Sequence, residues 1–471
     1  MNTSMRMIRQ NSEPAFAPAA RRAGAGKLLA GALTVGLLAV NVALGASNYA
    51  TPYAFTTIAG TPGSPENVDG TNGAALFGNP AGVALGTNGN LYVVDETENT
   101  VRRVAPVGTN WVVTTIAGVA GTSGSADGTN NNATFNSPVG IAADGAGNLF
   151  VSDSDNNTIR RLTPSGTNWV VTTIAGTANP NGGSADGTNG AAQFYSPYGI
   201  TVNTNGIVYV VDSLNTTIRQ LTPVGTNWVV TTIAGDASSP FGGNIDGTNL
   251  NAQFDSPYAI VADLSGNLFV TDGGASTIRK LTPVGTNWVT TTIAGTINDS
   301  GTDDGTNTAA LFVSPLGITA DANDNLFIAD TFANNIRKLS PAGTNWVSTT
   351  LAGPSDGSSG STNTVGAAVR FNNPWGIAVN AAGTVFVADA SNDDIREGVP
   401  AVLSNPGLQI TLVNTNTVLV SWSGSVGTLQ TNSDLTTANW GNYGGIVTTS
   451  SGTNSVTVSP LAGTLFFRLS Q

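Results

Sequence analysis

The same unit is written six times along this chain. Its second copy reads Asn136-Ser137-Pro138-Val139-Gly140-Ile141-Ala142, then Asn148-Leu149-Phe150-Val151-Ser152-Asp153, then Thr158-Ile159-Arg160-Arg161-Leu162-Thr163-Pro164, then Trp169-Val170-Val171-Thr172-Thr173-Ile174-Ala175-Gly176. Matching aspartates stand at Asp95, Asp153, Asp212, Asp272, Asp330 and Asp389, and matching arginines at Arg102, Arg160, Arg219, Arg279, Arg337 and Arg396, a period of 58–60 residues. A period of this length makes each copy one supersecondary unit that buries its apolar faces against its neighbours.

Each copy holds four strand-like runs. Leu149-Phe150-Val151 is apolar at consecutive positions, so both faces of that strand are buried, as in a sheet sandwiched between other sheets. Gly145-Ala146-Gly147-Asn148 supplies one hairpin turn and the stretch from Thr163 to Asn168 another. No copy keeps a helical period over three turns. Four strands taken six times predict an all-β, six-bladed β-propeller over residues 51–400. The ends of the array predict closure. The run ending in Ala-Gly begins at Ile58, Ile116, Ile174, Ile233, Ile293 and Leu351, so its first occurrence precedes every inner strand, while the sixth copy stops near Arg396 after its third strand. The N-terminal strand is therefore expected to complete the last blade and leave no open edge.

The pattern Pro-x-Gly-Ile-Ala, then Gly-Asn-Leu-Phe-Val-x-Asp, then Asn-x-Ile-Arg-x-Leu resembles the NHL repeat, six times over residues 51–400. The resemblance implies a six-bladed propeller. It leaves the activity open, because the family includes partner-binding propellers, nucleic-acid binders, a metal-dependent amidating lyase and relatives of calcium-dependent lactonases. Residues 401–471 lack the repeat. Leu408–Leu412, Val418–Trp422, Ser455–Val458 and Leu465–Leu469 predict a small Ig- or fibronectin-like β-sandwich, joined by a linker from Pro400 to Pro406. This segment is similar to a C-terminal module of large exported bacterial proteins, which implies spacing, anchoring or display.

Residues 1–46 read as an export signal: Arg6, Arg9, Arg21, Arg22 and Lys27, an apolar run from Leu28 to Leu44, then small residues. An uncleaved membrane anchor is the alternative. A secreted, cell-surface or periplasmic location follows, with no membrane insertion of the mature form, and the chain is expected to be a monomer. Residues 1–46 hold five of the 17 Lys and Arg and one of the 29 Asp and Glu, which leaves 12 basic and 28 acidic residues, a net of −16. Such a surface does not bind nucleic acid by neutralising phosphates. The chain has no Cys and no His. This removes disulfides, Ser-His-Asp and Cys-His nucleophiles, and His-held zinc or copper, including the ligands that the amidating-lyase chemistry requires. Carboxylate chemistry, with or without calcium, is what remains.

A residue present in every blade serves every blade. The aspartate after strand two, such as Asp153, is expected to accept hydrogen bonds from turn N–H groups. The arginine of strand three, such as Arg160, is expected to pair with a carboxylate between blades. Ten of the 12 basic residues lie in strand three, so few cations are left for an anion site. A second series, Asp69, Asp127, Asp186, Asp246, Asp304 and Asp356, precedes Gly in the loops between blades and reads as a turn motif, with calcium ligation as the sharper alternative. Phe77, Phe135, Phe194, Phe254, Phe312 and Phe371 read as loop anchors in the core.

Function is sought where the copies differ. The residue after the repeated Pro is Ala81, Val139, Tyr198, Tyr258, Leu316 and Trp375 in turn, beside the innermost strand. Tyr198, Tyr258 and Trp375, with Tyr195 and Phe241 nearby, are candidates for a ligand-binding rim of the central channel; hydrophobic plugging is the alternative. Glu96, Glu98, Asp155, Asp393 and Asp394 form an acidic set on blades six, one and two, a candidate cation site whose plainer reading is a solvated rim. The leading expectation is a non-enzymatic binding or display scaffold for an extracellular glycan, peptide or protein, needing no cofactor. A calcium-dependent hydrolase or lactonase and a structural envelope protein are the alternatives.

Overall fold

The computed structural model describes residues 5–6, residues 52–401 except 239–241 and 298, and segments of 409–470. It divides into two compact units, Asn48–Ala401 and Val402–Gln471 with Met1–Ser47. The export-signal reading, apart from a strand at Met5–Arg6, and the linker after Ala401 lie outside the described residues, as does Phe241.

The larger unit is the six-bladed propeller. Blade two shows the plan: an inner strand Pro138–Ala143, then Leu149–Asp153, Thr158–Ser165 and Asn168–Ala175, paired antiparallel in that order. Strand two is buried along its whole length in all six blades, as its unbroken apolar run requires. The repeated Pro opens each inner strand, where its missing N–H costs no ladder bond. The inner strands touch in sequence and the sixth touches the first. Gly82 permits this close approach, since a Cβ there would lie 2.5 Å from the Val139 carbonyl oxygen.

The ring closes as the repeat predicts. Tyr53–Gly60 pairs antiparallel with Asp394–Pro400 and becomes the fourth strand of blade six. Tyr53 takes the place of the tryptophan that opens strand four elsewhere. In five places an aromatic of strand two meets the next blade's tryptophan edge-on: Tyr92–Trp169, Phe150–Trp228, Tyr209–Trp288, Phe269–Trp346 and Phe386–Trp111, with centroids 5.5–5.8 Å apart. Each such pair is worth about 0.5–1.5 kcal/mol beyond its burial. At the sixth junction Tyr53 shares a core cluster with Phe327.

Blades one to five carry a fifth strand that the four-strand expectation did not include. Gly70–Thr71, Gly128–Thr129, Gly187–Thr188, Gly247–Thr248 and Gly305–Thr306 each add two residues to the outer edge. The Asp-Gly-Thr-Asn motif builds it. Its asparagine, at φ 50–52°, accepts from the tryptophan N–H of strand four at 2.7 Å, as Asn72 does from Trp111. The short strand covers an edge that would otherwise be open to pairing with another chain.

In the smaller unit, two four-stranded antiparallel sheets supply one apolar cluster. Val418, Val420, Trp422, Val456 and Val458 come from one sheet, and Leu429 comes from the other.

Candidate functional site

The six buried arginines are structural, and their geometry is more elaborate than the repeat alone conveys. Each is fully buried, with its guanidinium 5.0–5.1 Å over the ring of the core phenylalanine, from Arg102 on Phe77 to Arg396 on Phe371. Arg160 donates from Nη1 to Asp153 at 2.6 Å and to the Thr134 carbonyl, and from Nη2 to Asp127 at 3.0 Å and to the Ala126 carbonyl. One carboxylate, Asp153, lies on strand two of the arginine's own blade, and the other, Asp127, lies on the loop that joins blade one to blade two, so the partner expected between blades is one of two. Asp153 also accepts from the Asn136 N–H, so the strand-two aspartate ties the turn as expected. Burial pushes these aspartates up, Asp272 to about 7, against the pull of Arg279.

The loop aspartates are thereby reassigned. Asp69, Asp127, Asp186, Asp246 and Asp304 each accept from an arginine and from a strand-four threonine, which departs from the turn reading. Asp356 is not the sixth member. It is exposed and accepts from Ser358, while Asn363 meets Arg396 at 2.8 Å. Among the described residues no three carboxylates converge to hold a metal ion.

Two kinds of surface mark the ring face that carries the loops after strand two. One is aromatic. Tyr198 and Tyr258 are half-buried and stack, with centroids 5.4 Å apart and 26° between planes. Gly273 makes room for this pair, since a Cβ there would lie 2.7 Å from the Tyr258 ring. The other blades carry Glu96, Ser154, Ser213, Thr331 and Ala390 at that position. Burial, and then Tyr198, raises the Tyr258 phenol. Trp375 is half-buried and packs on the cluster of Ala81 and Val94, while Ala81, Val139 and Leu316 are buried. Tyr195 is 40% exposed in the loop before this inner strand, where its ring rests against Gly182 and its carbonyl accepts from the N–H of the exposed Leu214.

The other surface is acidic, and the structure divides its five candidates. Glu96 accepts from Asn79 at 3.1 Å, and burial, then Asp155 and Asp95, raises its carboxyl. Glu98 is half-buried and Asp155 is exposed, on the loops after strand two of blades one and two. Asp393 and Asp394, expected on the loop with the others, are buried. Asp394 begins strand three and faces Asp389 across the strand pair. Blade one is three blades from blade four, so Glu96 and Tyr258 stand on opposite sides of the ring.

Sequence comparison agrees with this architecture. The NHL repeat model matches residues 135–162 and 371–393, which fall on blades two and six. The chain is 27% identical over 296 residues to the Arabidopsis thaliana protein SUPPRESSOR OF QUENCHING 1, chloroplastic, covering 59% of this chain and 26% of that protein. It is 27% identical over 303 residues to human NHL repeat-containing protein 2, covering 58% of this chain and 40% of the other. The chain thus spans less than half the length of either relative. Among solved structures, one described as an auxiliary nutrient binding protein from Bacteroides thetaiotaomicron superposes with a TM-score of 0.54 at 18% identity, covering 74% of this chain and 76% of that one. Architecture and repeat matches together describe a six-bladed propeller that carries NHL repeats.

Proposed function

We propose that this chain is an exported, non-enzymatic binding propeller that takes a glycan or a short peptide on the aromatic part of its rim. The observation that carries this reading is the Tyr198–Tyr258 stack, half-buried, on inner strands whose counterparts carry Ala81, Val139, Leu316 and Trp375. Two stacked, half-buried rings suit a sugar face or a peptide side chain, and their hydroxyls can fix its orientation. The solved neighbour described as a nutrient binding protein is consistent with a ligand at such a mouth, but at 18% identity that likeness speaks for the fold alone.

Glycan and peptide arrays probed with the full chain test the proposal. Binding that is lost in Tyr198→Ala and Tyr258→Ala, with melting temperature nearly unchanged, supports a ligand rim. A large fall in melting temperature identifies a plug, and silence on both arrays favours a structural envelope role. The calcium-dependent alternative predicts millimolar calcium binding by calorimetry, although no described trio of carboxylates is placed to provide it.

A further inference from the structure

Blade six differs from the other five at a set of positions that all touch the closing strand. In blades one to five the strand-two aspartate faces a neutral residue across the strand pair: Asp95 and Thr100, Asp153 and Thr158, Asp212 and Thr217, Asp272 and Thr277, Asp330 and Asn335. In blade six Asp389 faces Asp394. The loop carboxylate that meets the arginine elsewhere is here the neutral Asn363. Each blade therefore holds one guanidinium and two carboxylates. Five blades keep the second carboxylate on the loop, 46–49% exposed, and blade six buries it completely.

This relocation turns a hydrogen bond around. In blade one the Thr115 hydroxyl donates outward to Asp69 at 2.9 Å. In blade six the equivalent Thr57 accepts from the Asn363 amide at 3.3 Å and donates inward to Asp394 Oδ2 at 2.8 Å. A threonine hydroxyl has one proton to give, so an amide in place of a carboxylate frees it for Asp394. The other oxygen, Asp394 Oδ1, is buried and has no hydrogen-bond partner among the described residues. Two buried carboxylates on paired positions beside a single guanidinium do not both stay ionised.

We propose that the seam of the ring is a proton-operated clasp: Asp389 and Asp394 hold one proton between them, and losing it releases the strand Tyr53–Gly60 from blade six. The groups facing the pair define the field. Arg396 lies on the same strand and donates to Asp389 at 2.9 Å, and Asp393 adjoins Asp394 in the chain. Asp95 of blade one acts on Asp393 from across the seam, while the closing strand and the interblade loop present the neutral Thr57 and Asn363. Burial, and then Asp389, pushes the Asp394 carboxyl up to about 8; burial, and then Asp95, pushes Asp393 up to about 6. Folding thus takes up protons here. The contribution is complete below the ordinary carboxylate range near ~4, declines as pH rises, and is lost above about 8.

Hydrogen exchange of the full chain between pH 6 and 9, corrected for intrinsic rates, tests the clasp. The reference is Asn168–Ala175, the covalently tethered fourth strand of blade two. Protection of Tyr53–Gly60 relative to that reference is expected to fall by up to about tenfold per pH unit between pH 6 and about 8, where the folded pair still holds its proton, and to level off above that. In Asp394→Thr, which copies the other blades, and in Asp394→Asn, which keeps the shape without the proton, the fall is expected to vanish. A wild-type closing strand that tracks the reference overturns the proposal, as does a fall that persists in either variant. Should neither variant fold, the wild-type comparison decides alone.

Discussion

Blade two and blade six share four antiparallel strands and a buried arginine set among two carboxylates, and they differ in how the fourth strand is joined. In blade two it follows strand three through a hairpin, so it is never far from its partner. In blade six it arrives from the other end of the propeller, more than 330 residues away along the chain. The hairpin tethers the strand for little entropy, whereas the long closure starts from a larger loss that side-chain contacts must offset. The tethered blade keeps its second carboxylate half in water. The untethered blade buries that carboxylate against the incoming strand, which adds a contact only Thr57 satisfies and makes the joint responsive to protons.

The largest test of this contrast is to remove the untethered strand. A chain lacking residues 52–60 is expected to lose its folded monomer by size-exclusion chromatography, because the third strand of blade six becomes a bare edge. A monomer of unchanged stability would end the closure account. Next, Arg219→Ala in blade three strands Asp212 in the core and is expected to cost about 3–5 kcal/mol in chemical denaturation. Arg396→Ala should cost more than Arg219→Ala at pH 8.5, where two buried carboxylates have lost the guanidinium between them, and the gap should narrow at pH 5.5. The contrast can also be moved. Asp186→Asn with Thr217→Asp builds the blade-six arrangement in blade three, and the melting temperature should then fall more steeply than wild type from pH 6 to 8.5. Its fourth strand should nonetheless remain protected from exchange, because the hairpin still holds it. Asn72→Ala removes the acceptor for the Trp111 N–H and is expected to cost about 1 kcal/mol. The smallest effect is expected for Tyr198→Ala, whose half-exposed ring supports little else; melting temperature is the measure, and a large fall would reassign that ring to the core.

The ring, its six blades and its closing strand were all legible in the sequence, because each is written as recurrence and recurrence survives ignorance of detail. The variant blade was harder to read. The loop of blade six spaces its residues differently, so Asp356-Gly357 matches the motif by eye while Asn363, thirty-three residues before Arg396, holds the structural position. Counting back from the arginine, as Asp69 stands from Arg102, would have found it. Asp394 was read with the acidic loop because Asp393 precedes it; only the register with Asp389 shows it to be the first residue of a strand, where other blades carry Thr or Asn. The Tyr198–Tyr258 stack was partly visible, since both follow the repeated Pro, and the Gly at 273 that admits it was a signal left unread.

The repeat and the blade are out of phase by one strand, and this bears on how such a molecule can change over generations. A genetic exchange that gains or drops a whole copy in the middle of the array leaves both ends of the gene untouched. One end of the array supplies Thr57, the threonine that every copy carries, and the other supplies Asn363 with Asp394, which no interior copy has. The number of pieces is thus free to vary by descent, while the altered last copy travels intact and marks where the circle is meant to meet.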